Sequence, residues 1–251
     1  MAQLSLNGRL FDVDLIAFDK DGTLIDFHQL WGRRARLWVE WLQRQVNGSA
    51  SLAGALYRGL GYDPGRDRVV NESPLAVATM AKLSTIAAVV LYQHGIAWHE
   101  AEQIVAESVA TTIGAPPTPD SVRPIGDVAG SIYRLAAAGV RLAVITSDDR
   151  AGTQTTLRML GIADKIDILV CGDDPIPNKP APAPLWHVGR QFHVDPAGMM
   201  MVGDTVSDML CGRSAGVGCR LGIVGGAGDQ ATLAAHADVT LPSIEDIHVS
   251  L

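Results

Sequence analysis

The sequence predicts an α/β protein with a doubly wound, mostly parallel sheet and an all-helical segment inserted into it. Short, nearly continuous apolar runs end at glycine or polar residues, as strands buried in a parallel sheet do. Amphipathic helical patterns alternate with these runs, which favours right-handed crossovers between parallel strands. Between residues 26 and 121 the patterns are helical only.

Apolar runs mark the candidate strands. The first ends directly before Asp19, and the others follow the predicted insert. The runs are Leu15–Phe18, Arg141–Ile145, Ile166–Val170, Met199–Val202 and Cys219–Val224.

Helical patterns lie before, between and after the later strands. Most of them end before a glycine, which often terminates a helix because it adopts the left-handed conformation at little cost. The predicted helices are Val128–Ala138, Ala151–Leu160, Pro184–Phe192 and Val206–Ala215.

The insert shows three helical patterns. Trp31, Ala35, Trp38 and Leu42 recur at the spacing of one helical stripe. Ser73 followed by proline predicts the start of a helix that runs toward Gly95. The third pattern covers about Glu100–Ile113, and a proline-rich linker, Ala115–Pro124, follows it. The predicted organisation is core 1–25, helical insert 26–121 and core 122–251.

Composition limits the classes of function. Hydrophobic residues make up 47% of the chain and charged residues 19%, which is typical of a globular protein. The net charge of −7 without a basic run argues against a nucleic-acid partner. The N-terminal segment lacks a secretory-signal pattern, and the longest apolar run, near Ile86–Tyr92, is too short to span a bilayer. We therefore expect a cytoplasmic protein without a membrane partner; the sequence does not indicate its oligomeric state.

The three cysteines are Cys171, Cys211 and Cys219. Their number is odd and no CxxC spacing occurs. We interpret them as reduced thiols that serve as small buried apolar side chains, rather than as catalytic or metal-binding groups.

Polar residues beyond the strand ends predict one site. In open α/β sheets, ligands bind outside the carboxyl ends of the strands. The residues at that edge are Asp19, Asp21, Thr146, Lys179, Asp204 and Asp208. Carboxylates this close repel one another unless a cation lies between them, and oxygen-only ligation favours Mg²⁺.

Four motifs in order carry a family resemblance. Asp19-Lys20-Asp21-Gly22-Thr23 resembles the DxDGT motif of the haloacid dehalogenase (HAD) superfamily. Thr146 at a strand end, Lys179 before proline, and a GDxxxD sequence from Gly203 to Asp208 resemble the other three. The resemblance covers nearly the whole chain and implies a Rossmann-like HAD core with a type-one helical cap at the insert. The stretch from Cys171 to Pro180 is similar to that of phosphoglycolate-phosphatase-like members.

This resemblance implies a Mg²⁺-dependent phosphatase that acts on a small phosphorylated metabolite, of the phosphoglycolate or sugar-phosphate type. It implies that Asp19 is the nucleophile and that Asp21 is the acid and base. Thr146 and Lys179 would bind the phosphate.

The implied metal ligands are the carboxylates of Asp19 and Asp204 and the backbone carbonyl of Asp21. Asp208 would act in the outer shell or through water. For His28, just inside the insert, substrate contact and helix packing both stay open.

Some residues depart from the family pattern or lie beside it. Lys20 stands where the family often has an apolar residue, and a buried ion pair is our interpretation of it. Solvated or helix-capping roles are expected for four further acids beyond the strand ends: Asp148, Asp149, Asp173 and Asp174. For Asp173, a place in the outer shell of the metal is the alternative.

Other functions stay open. A phosphotransferase such as a sugar-phosphate mutase has similar architecture, and a non-catalytic regulatory module is a third hypothesis. Asp21 argues against dehalogenases and phosphonate-cleaving relatives, whose first motif differs at that position.

Overall fold

The computed structural model describes residues 2–250, which form two compact units. One unit contains the described residues up to Asp26 and those from Pro117 onward, and the other is Phe27–Pro116. In chain order, the strands are β1 (Ala2–Leu6), β2 (Arg9–Val13), β3 (Leu15–Phe18), β4 (Tyr62–Asp63), β5 (Arg68–Val69), β6 (Arg141–Ile145), β7 (Ile168–Val170), β8 (Met199–Gly203), β9 (Cys219–Ile223), β10 (Val239–Leu241) and β11 (His248–Val249). The α-helices are α1 (Phe27–Gln45), α2 (Ala50–Leu60), α3 (Pro74–Val77), α4 (Met80–Gln93), α5 (Trp98–Thr111), α6 (Val128–Ala137), α7 (Arg150–Met159), α8 (Ala183–Phe192), α9 (Val206–Ala215) and α10 (Gln230–His236).

A six-stranded sheet forms the centre of the first unit, in the order β10-β9-β8-β3-β6-β7. All of its pairings are parallel. The first strand of this sheet along the chain is the central β3. Strands β6 and β7 follow on one side of it, and β8, β9 and β10 then follow on the other side. This is the doubly wound topology with a switch point between β3 and β8. The predicted fold class is therefore confirmed.

The central strand is apolar because both of its faces are covered. All four residues of β3 are buried. An apolar cluster joins the sheet to α8 and α9. It contains Leu15, Ala17, Ala143, Ile145, Val170, Leu185, Val188, Met199, Met201, Cys211 and Ala215.

Some elements of this unit are absent from the sequence prediction. A three-stranded antiparallel sheet, in the order β11-β1-β2, joins the two ends of the described chain. Strand β10 and helix α10 complete the far side of the parallel sheet. Strand β7 begins at Ile168 rather than at Ile166, and the Asp167 side chain accepts the N–H of Leu142 at 2.8 Å.

The second unit is mostly helical. Helix α1 buries Ala35, Trp38 and Leu42 of the predicted stripe, whereas Trp31 is half-buried. The Trp38 indole N–H donates to Ser108 Oγ of α5 at 2.6 Å, so the largest buried side chain of this helix has its polar atom satisfied.

Two details of the insert correct the prediction. The insert is not purely helical, because β4 and β5 form an antiparallel hairpin. Asp63 closes its turn by accepting the N–H groups of Gly65 and Arg66, a behaviour common for Asp in turns. The predicted helix toward Gly95 is broken into α3 and α4, because Thr79 takes an extended conformation at the N-cap of α4. Helix α2 was not predicted from the sequence.

Within residues 2–250, the structure contains no helix with both the length and the apolar character needed to cross a membrane. The three cysteines are free and buried. Burial raises the thiol pKa of Cys171 to about 11, and those of Cys211 and Cys219 to about 12.

Candidate active site

The carboxyl ends of three neighbouring strands bring Asp19, Thr146 and Asp204 to one edge of the sheet. β3 pairs with β6 on one side and with β8 on the other. The Asp19 N–H donates to Val202 O at 2.8 Å, and the Thr146 N–H donates to Val170 O at 2.9 Å. The parallel hydrogen-bond ladder therefore extends one residue beyond β3 and β6, and it fixes the backbone positions of Asp19 and Thr146.

A tight turn follows Asp19. The carbonyl oxygen of Lys20 accepts the N–H of Leu24 at 2.9 Å, and the Gly22 N–H donates to Ile25 O at 2.7 Å. Gly22 has a φ of +87°, a conformation that glycine adopts at little cost. A Cβ atom at this position would overlap the Asp204 carboxylate. The glycine of the first motif is thus required both by the turn and by the close approach of Asp204.

Asp19, Asp204 and Asp208 form a buried carboxylate cluster. One oxygen from each lies within 4.8 Å of the others. Burial, and then the neighbouring Asp208 and Asp21, raise the pKa of Asp19 to about 7 against the lowering effect of Lys179. Burial, and then Asp19 and Asp208, raise the pKa of Asp204 well above its usual value. Burial and mutual repulsion therefore disfavour the ionised form of these carboxylates. A cation bound among them would favour the ionised form.

Lys179 neutralises part of this charge. It comes from the loop between β7 and α8, and its side chain is only 6% exposed. Its Nζ lies 2.5 Å from Asp19 Oδ1 and 2.6 Å from Asp208 Oδ1. Burial lowers the pKa of Lys179, but Asp19 and Asp208 raise it more, so the pKa lies above its usual value and the lysine stays protonated.

Asp204 is the carboxylate that fits a divalent cation best. Its Oδ2 accepts the N–H of Ala227 at 2.6 Å. Its Oδ1 is buried and has no hydrogen-bond partner among residues 2–250. A buried carboxylate oxygen without a donor is costly unless a cation or water satisfies it. The donor set around it consists of carboxylate oxygens, which hard cations such as Mg²⁺ prefer.

Asp208 is held in the first turn of α9. Its Oδ2 accepts from the N–H of Thr205 at 3.0 Å and from the Thr205 hydroxyl at 2.6 Å, and Thr205 in turn caps the helix. Both oxygens of Asp208 are thus engaged, one by this capping box and one by Lys179. These contacts fix the Asp208 carboxylate at the start of α9 and hold the Lys179 ammonium group beside it.

The Thr146 hydroxyl is oriented by the loop that follows it. Its Oγ1 accepts the N–H of Asp148 at 3.2 Å, and the residue is buried. Because a hydroxyl has one hydrogen, an accepting role toward Asp148 leaves that hydrogen to be donated elsewhere. Thr146 is therefore able to donate to an anion at the strand ends.

Lys20 forms a second charged cluster on the same edge. Its side chain is 2% exposed; its Nζ contacts Asp21 Oδ1 and lies 2.9 Å from Asp148 Oδ2. The Asp21 and Asp148 side chains are 13% and 26% exposed. Burial lowers the pKa of Lys20, but Asp148 and Asp21 raise it more, so the net shift is upward. The interpretation of Lys20 as a buried ion pair is confirmed.

The other acids beyond the strand ends divide into two groups. Asp149 caps α7 by accepting the N–H of Gly152, and Asp173 accepts the N–H of Arg150, as capping residues do. Asp174 forms an ion pair with Arg150 at 2.6 Å. Asp148 and Asp174 correct the expectation of a solvated or capping role, because Asp148 is the partner of Lys20 and Asp174 is the partner of Arg150.

Two contributors to this edge are therefore absent from the sequence prediction. One is Asp148 as an ion-pair partner, and the other is the N–H of Ala227. In the sequence, the Ala227 contact is marked only by the preceding glycine pair, Gly225 and Gly226. A Cβ atom at Gly226 would overlap the Asp204 carboxylate, so glycine lets this loop approach Asp204.

His28 lies in the other unit, near the start of α1. It is buried, and its Nε2 is 2.7 Å from an Arg68 guanidinium nitrogen. Its ring meets Phe27 edge-on with the centroids 5.5 Å apart. These contacts describe packing within that unit, and substrate contact by His28 stays a prediction.

A model of the haloacid dehalogenase-like hydrolase family matches residues 13–216, a range that contains all four motifs. The chain belongs to this family. The phosphoglycolate phosphatase of Neisseria meningitidis is 34% identical over 120 residues, which is 48% of this chain and 50% of the relative. The chain thus spans about half the length of the curated relatives it matches.

Solved structures extend the likeness to the whole fold. A predicted phosphoglycolate phosphatase from Haemophilus somnus has a TM-score of 0.65 at 20% identity, over 94% of this chain and 96% of that chain. A Thermotoga maritima protein provisionally described as a β-phosphoglucomutase has a TM-score of 0.64 at 19% identity, over 93% and 96%. Both likenesses concern the fold alone, and the two scores do not separate a hydrolase from a mutase.

Proposed function

We propose that this protein is a Mg²⁺-dependent phosphatase that hydrolyses a small-molecule phosphate monoester through an aspartyl-phosphate at Asp19. The observation that carries the proposal is the Asp19 carboxylate at the end of β3, 2.5 Å from Lys179 and clustered with Asp204 and Asp208. Phosphoryl transfer needs a positioned nucleophile and neutralisation of phosphate charge, and this cluster offers both.

In the first step, an oxygen of Asp19 forms a bond to phosphorus while the bond from phosphorus to the ester oxygen breaks. Lys179 stays protonated and offsets the charge on Asp19 and on the phosphoryl group. Thr146 donates its hydroxyl hydrogen to a phosphoryl oxygen. The raised pKa of Asp19 means that its attacking form depends on positive charge nearby.

Asp21 acts as the general acid in the first step and as the general base in the second. It protonates the departing ester oxygen in the first step and accepts a proton from the attacking water in the second. Water then breaks the bond between phosphorus and Asp19, which releases inorganic phosphate and regenerates the carboxylate. The Asp21 side chain is 13% exposed, which allows it to exchange protons with substrate and water.

A magnesium ion would be held by Asp19 and Asp204, with Asp208 oriented beside them and the backbone carbonyl of Asp21 as a further ligand. When bound, it supplies positive charge that neutralises the phosphate and the carboxylate cluster. The unsatisfied Oδ1 of Asp204 supports this assignment.

For the substrate, we propose phosphoglycolate or a sugar phosphate, because relatives that match half of the chain are phosphoglycolate phosphatases. We expect neither nucleic acid nor a membrane as a partner, in keeping with the net charge of −7. The free, buried thiols support a reducing, cytoplasmic environment.

A panel of phosphorylated metabolites tests the proposal. With Mg²⁺, at least one alkyl phosphate should release inorganic phosphate, and Asp19→Asn should lower kcat by about 10³-fold or more. Acid quenching with a ³²P-labelled substrate should trap label on the wild type and none on Asp19→Asn.

The same panel separates the alternatives. Isomerisation of a sugar phosphate without phosphate release would favour a mutase. Binding without turnover would favour a regulatory module. An Asp19→Asn variant that keeps more than a few per cent of wild-type kcat would remove Asp19 from the nucleophile's role.

A further inference from the structure

Lys20 has an unusual position for a charged side chain. It stands between the two aspartates of the first motif and is almost completely buried. Burying a lysine is unfavourable unless acids nearby compensate, and an apolar side chain would avoid this cost. Lys20 meets this condition by contacting Asp21 Oδ1 and Asp148 Oδ2 at the same time. The two acids thus compensate the buried positive charge of Lys20. The mechanism described above, however, assigns Lys20 no role.

The Asp148 end of this bridge is fixed to the core. The Asp148 N–H donates to Thr146 Oγ1 at 3.2 Å, and the carbonyl oxygen of Asp148 accepts the N–H of Gly172 at 2.7 Å. A Cβ atom at Gly172 would overlap the backbone of Ser147, so the two loops approach as closely as glycine allows. Asp148 therefore belongs to a loop tied both to its own strand end and to the loop after β7.

The Lys20 end is equally fixed in its backbone. Its carbonyl oxygen accepts the Leu24 N–H at 2.9 Å within the tight turn, and the preceding residue is bonded to β8. The flexible part of the bridge is the lysine side chain, and Asp148 holds its far end. Asp21 is thus linked through one ammonium group to a loop that contains Thr146.

We infer that Lys20, anchored by Asp148, is a positioning residue that restrains the Asp21 carboxylate for proton transfer. This inference rests on the proposed function of Asp21. An aspartate at a partly exposed turn has several accessible rotamers, and proton transfer needs one of them within hydrogen-bond reach of the ester oxygen. Small errors in position are costly for such a group, so a fixed cation beside it improves the rate without touching the substrate.

A double-mutant cycle tests the inference. Lys20→Met, Asp21→Asn and the double variant are compared on an alkyl phosphate and on p-nitrophenyl phosphate. Lys20→Met should lower kcat on the alkyl phosphate by about 10-fold or more, with a KM within about 3-fold of wild type. The loss on p-nitrophenyl phosphate in the first, nitrophenol-releasing step should be small, because that leaving group needs little protonation. In the Asp21→Asn background, Lys20→Met should have no further effect.

Three controls keep the result interpretable. Lys165→Met removes a lysine that is paired with Asp164 outside the site, and it should leave kcat unchanged. Lys20→Arg retains the cation and should recover part of the rate. Asp148→Asn and its combination with Asp21→Asn repeat the cycle if Lys20→Met does not fold, because Asp148 is partly exposed.

The outcomes are distinct. If Lys20→Met slows Asp21→Asn by the same factor as it slows the wild type, Lys20 acts independently of Asp21 and the inference is overturned. Equal losses on both esters in the first step also overturn it. If the wild type hydrolyses no phosphate ester, the proposed function fails and this inference fails with it.

Discussion

Two buried lysines lie at the same edge of the sheet, each between two carboxylates, and they differ in one of their partners. The side chains of Asp19 and Asp21, the two acids of the first motif, have similar exposure, 11% and 13%. The second partner of Lys179, Asp208, is 1% exposed, whereas the second partner of Lys20, Asp148, is 26% exposed. Solvent therefore reaches the Lys20 cluster mainly at Asp148, while the Lys179 cluster is closed at Asp208.

The two clusters also differ in their balance of charge. Asp204 lies beside the Lys179 cluster and lacks a lysine partner among the described residues, and its Oδ1 has no hydrogen bond there. Both it and Asp19 have raised pKa values, chiefly because of burial. The Lys20 cluster has no comparable unsatisfied carboxylate oxygen in the described chain. A divalent cation is therefore expected at the first cluster and not at the second.

Among the variants that compare the two clusters, the largest expected effect is that of Asp204→Asn. The amide retains the shape of the side chain and can still accept the Ala227 N–H, but it lacks the charge that a cation needs. We expect weaker Mg²⁺ binding by calorimetry and a loss of about 10³-fold in phosphate release. Asp149→Asn is the matched control, because asparagine can keep the same cap of α7. Unchanged Mg²⁺ affinity in Asp204→Asn would place the cation elsewhere.

Removing each lysine in turn compares the clusters directly. Lys179→Met leaves Asp19 and Asp208 buried without their cation, which should cost on the order of 3 kcal/mol of unfolding free energy without Mg²⁺. Lys20→Met should cost less, because Asp148 is 26% exposed and can be hydrated, whereas Asp208 is 1% exposed. Adding Mg²⁺ should recover part of the loss in Lys179→Met only. Urea unfolding with and without Mg²⁺ measures both, and equal losses would erase the distinction between the clusters.

Asp21→Asn should affect chemistry while sparing the metal site. Its carboxylate lies outside the group of Asp19, Asp204 and Asp208, so Mg²⁺ affinity should stay near that of the wild type. Phosphate release from an alkyl phosphate should fall by about 10²-fold. With p-nitrophenyl phosphate, rapid mixing should show a burst of nitrophenol close to the enzyme concentration, followed by slow turnover. Wild-type behaviour on alkyl phosphates would show that Asp21 is not the general acid.

Local signals predicted much of the core. The bounds of β3 agree with the prediction because a fully apolar run ends sharply at Asp19. Those of α9 agree because Thr205 caps its start and Gly216 adopts a positive φ just after its end. Such features depend on neighbours within a few residues, which a single sequence displays.

Features that depend on distant partners escaped prediction. Lys20 and Asp148 are 128 positions apart in the printed sequence, and no local pattern pairs them. β1 and β11 pair across nearly the whole described chain, so neither has a local signal of its partner. Within the insert, the Asp63-Pro64-Gly65 turn does carry a hairpin signal, but the short strands beside it offer no clear alternation of apolar residues.

A last expected effect comes from the backbone beside Asp204. Gly22 and Gly8 both have positive φ, +87° and +78°, so replacing either with alanine costs about 1 kcal/mol from the backbone alone. They differ in space: a Cβ atom at Gly22 would overlap the Asp204 carboxylate, whereas one at Gly8 meets nothing within 4 Å. Gly22→Ala should therefore be less stable than Gly8→Ala by a further ~2 kcal/mol. Because the overlap displaces Asp204 rather than Lys20, Gly22→Ala should also weaken Mg²⁺ binding, while Gly8→Ala should not. Parallel urea titrations and calorimetry of the two variants measure both quantities. If the two variants lose equal stability and bind Mg²⁺ equally well, Asp204 is free to move, and the fixed position assigned to its carboxylate is wrong.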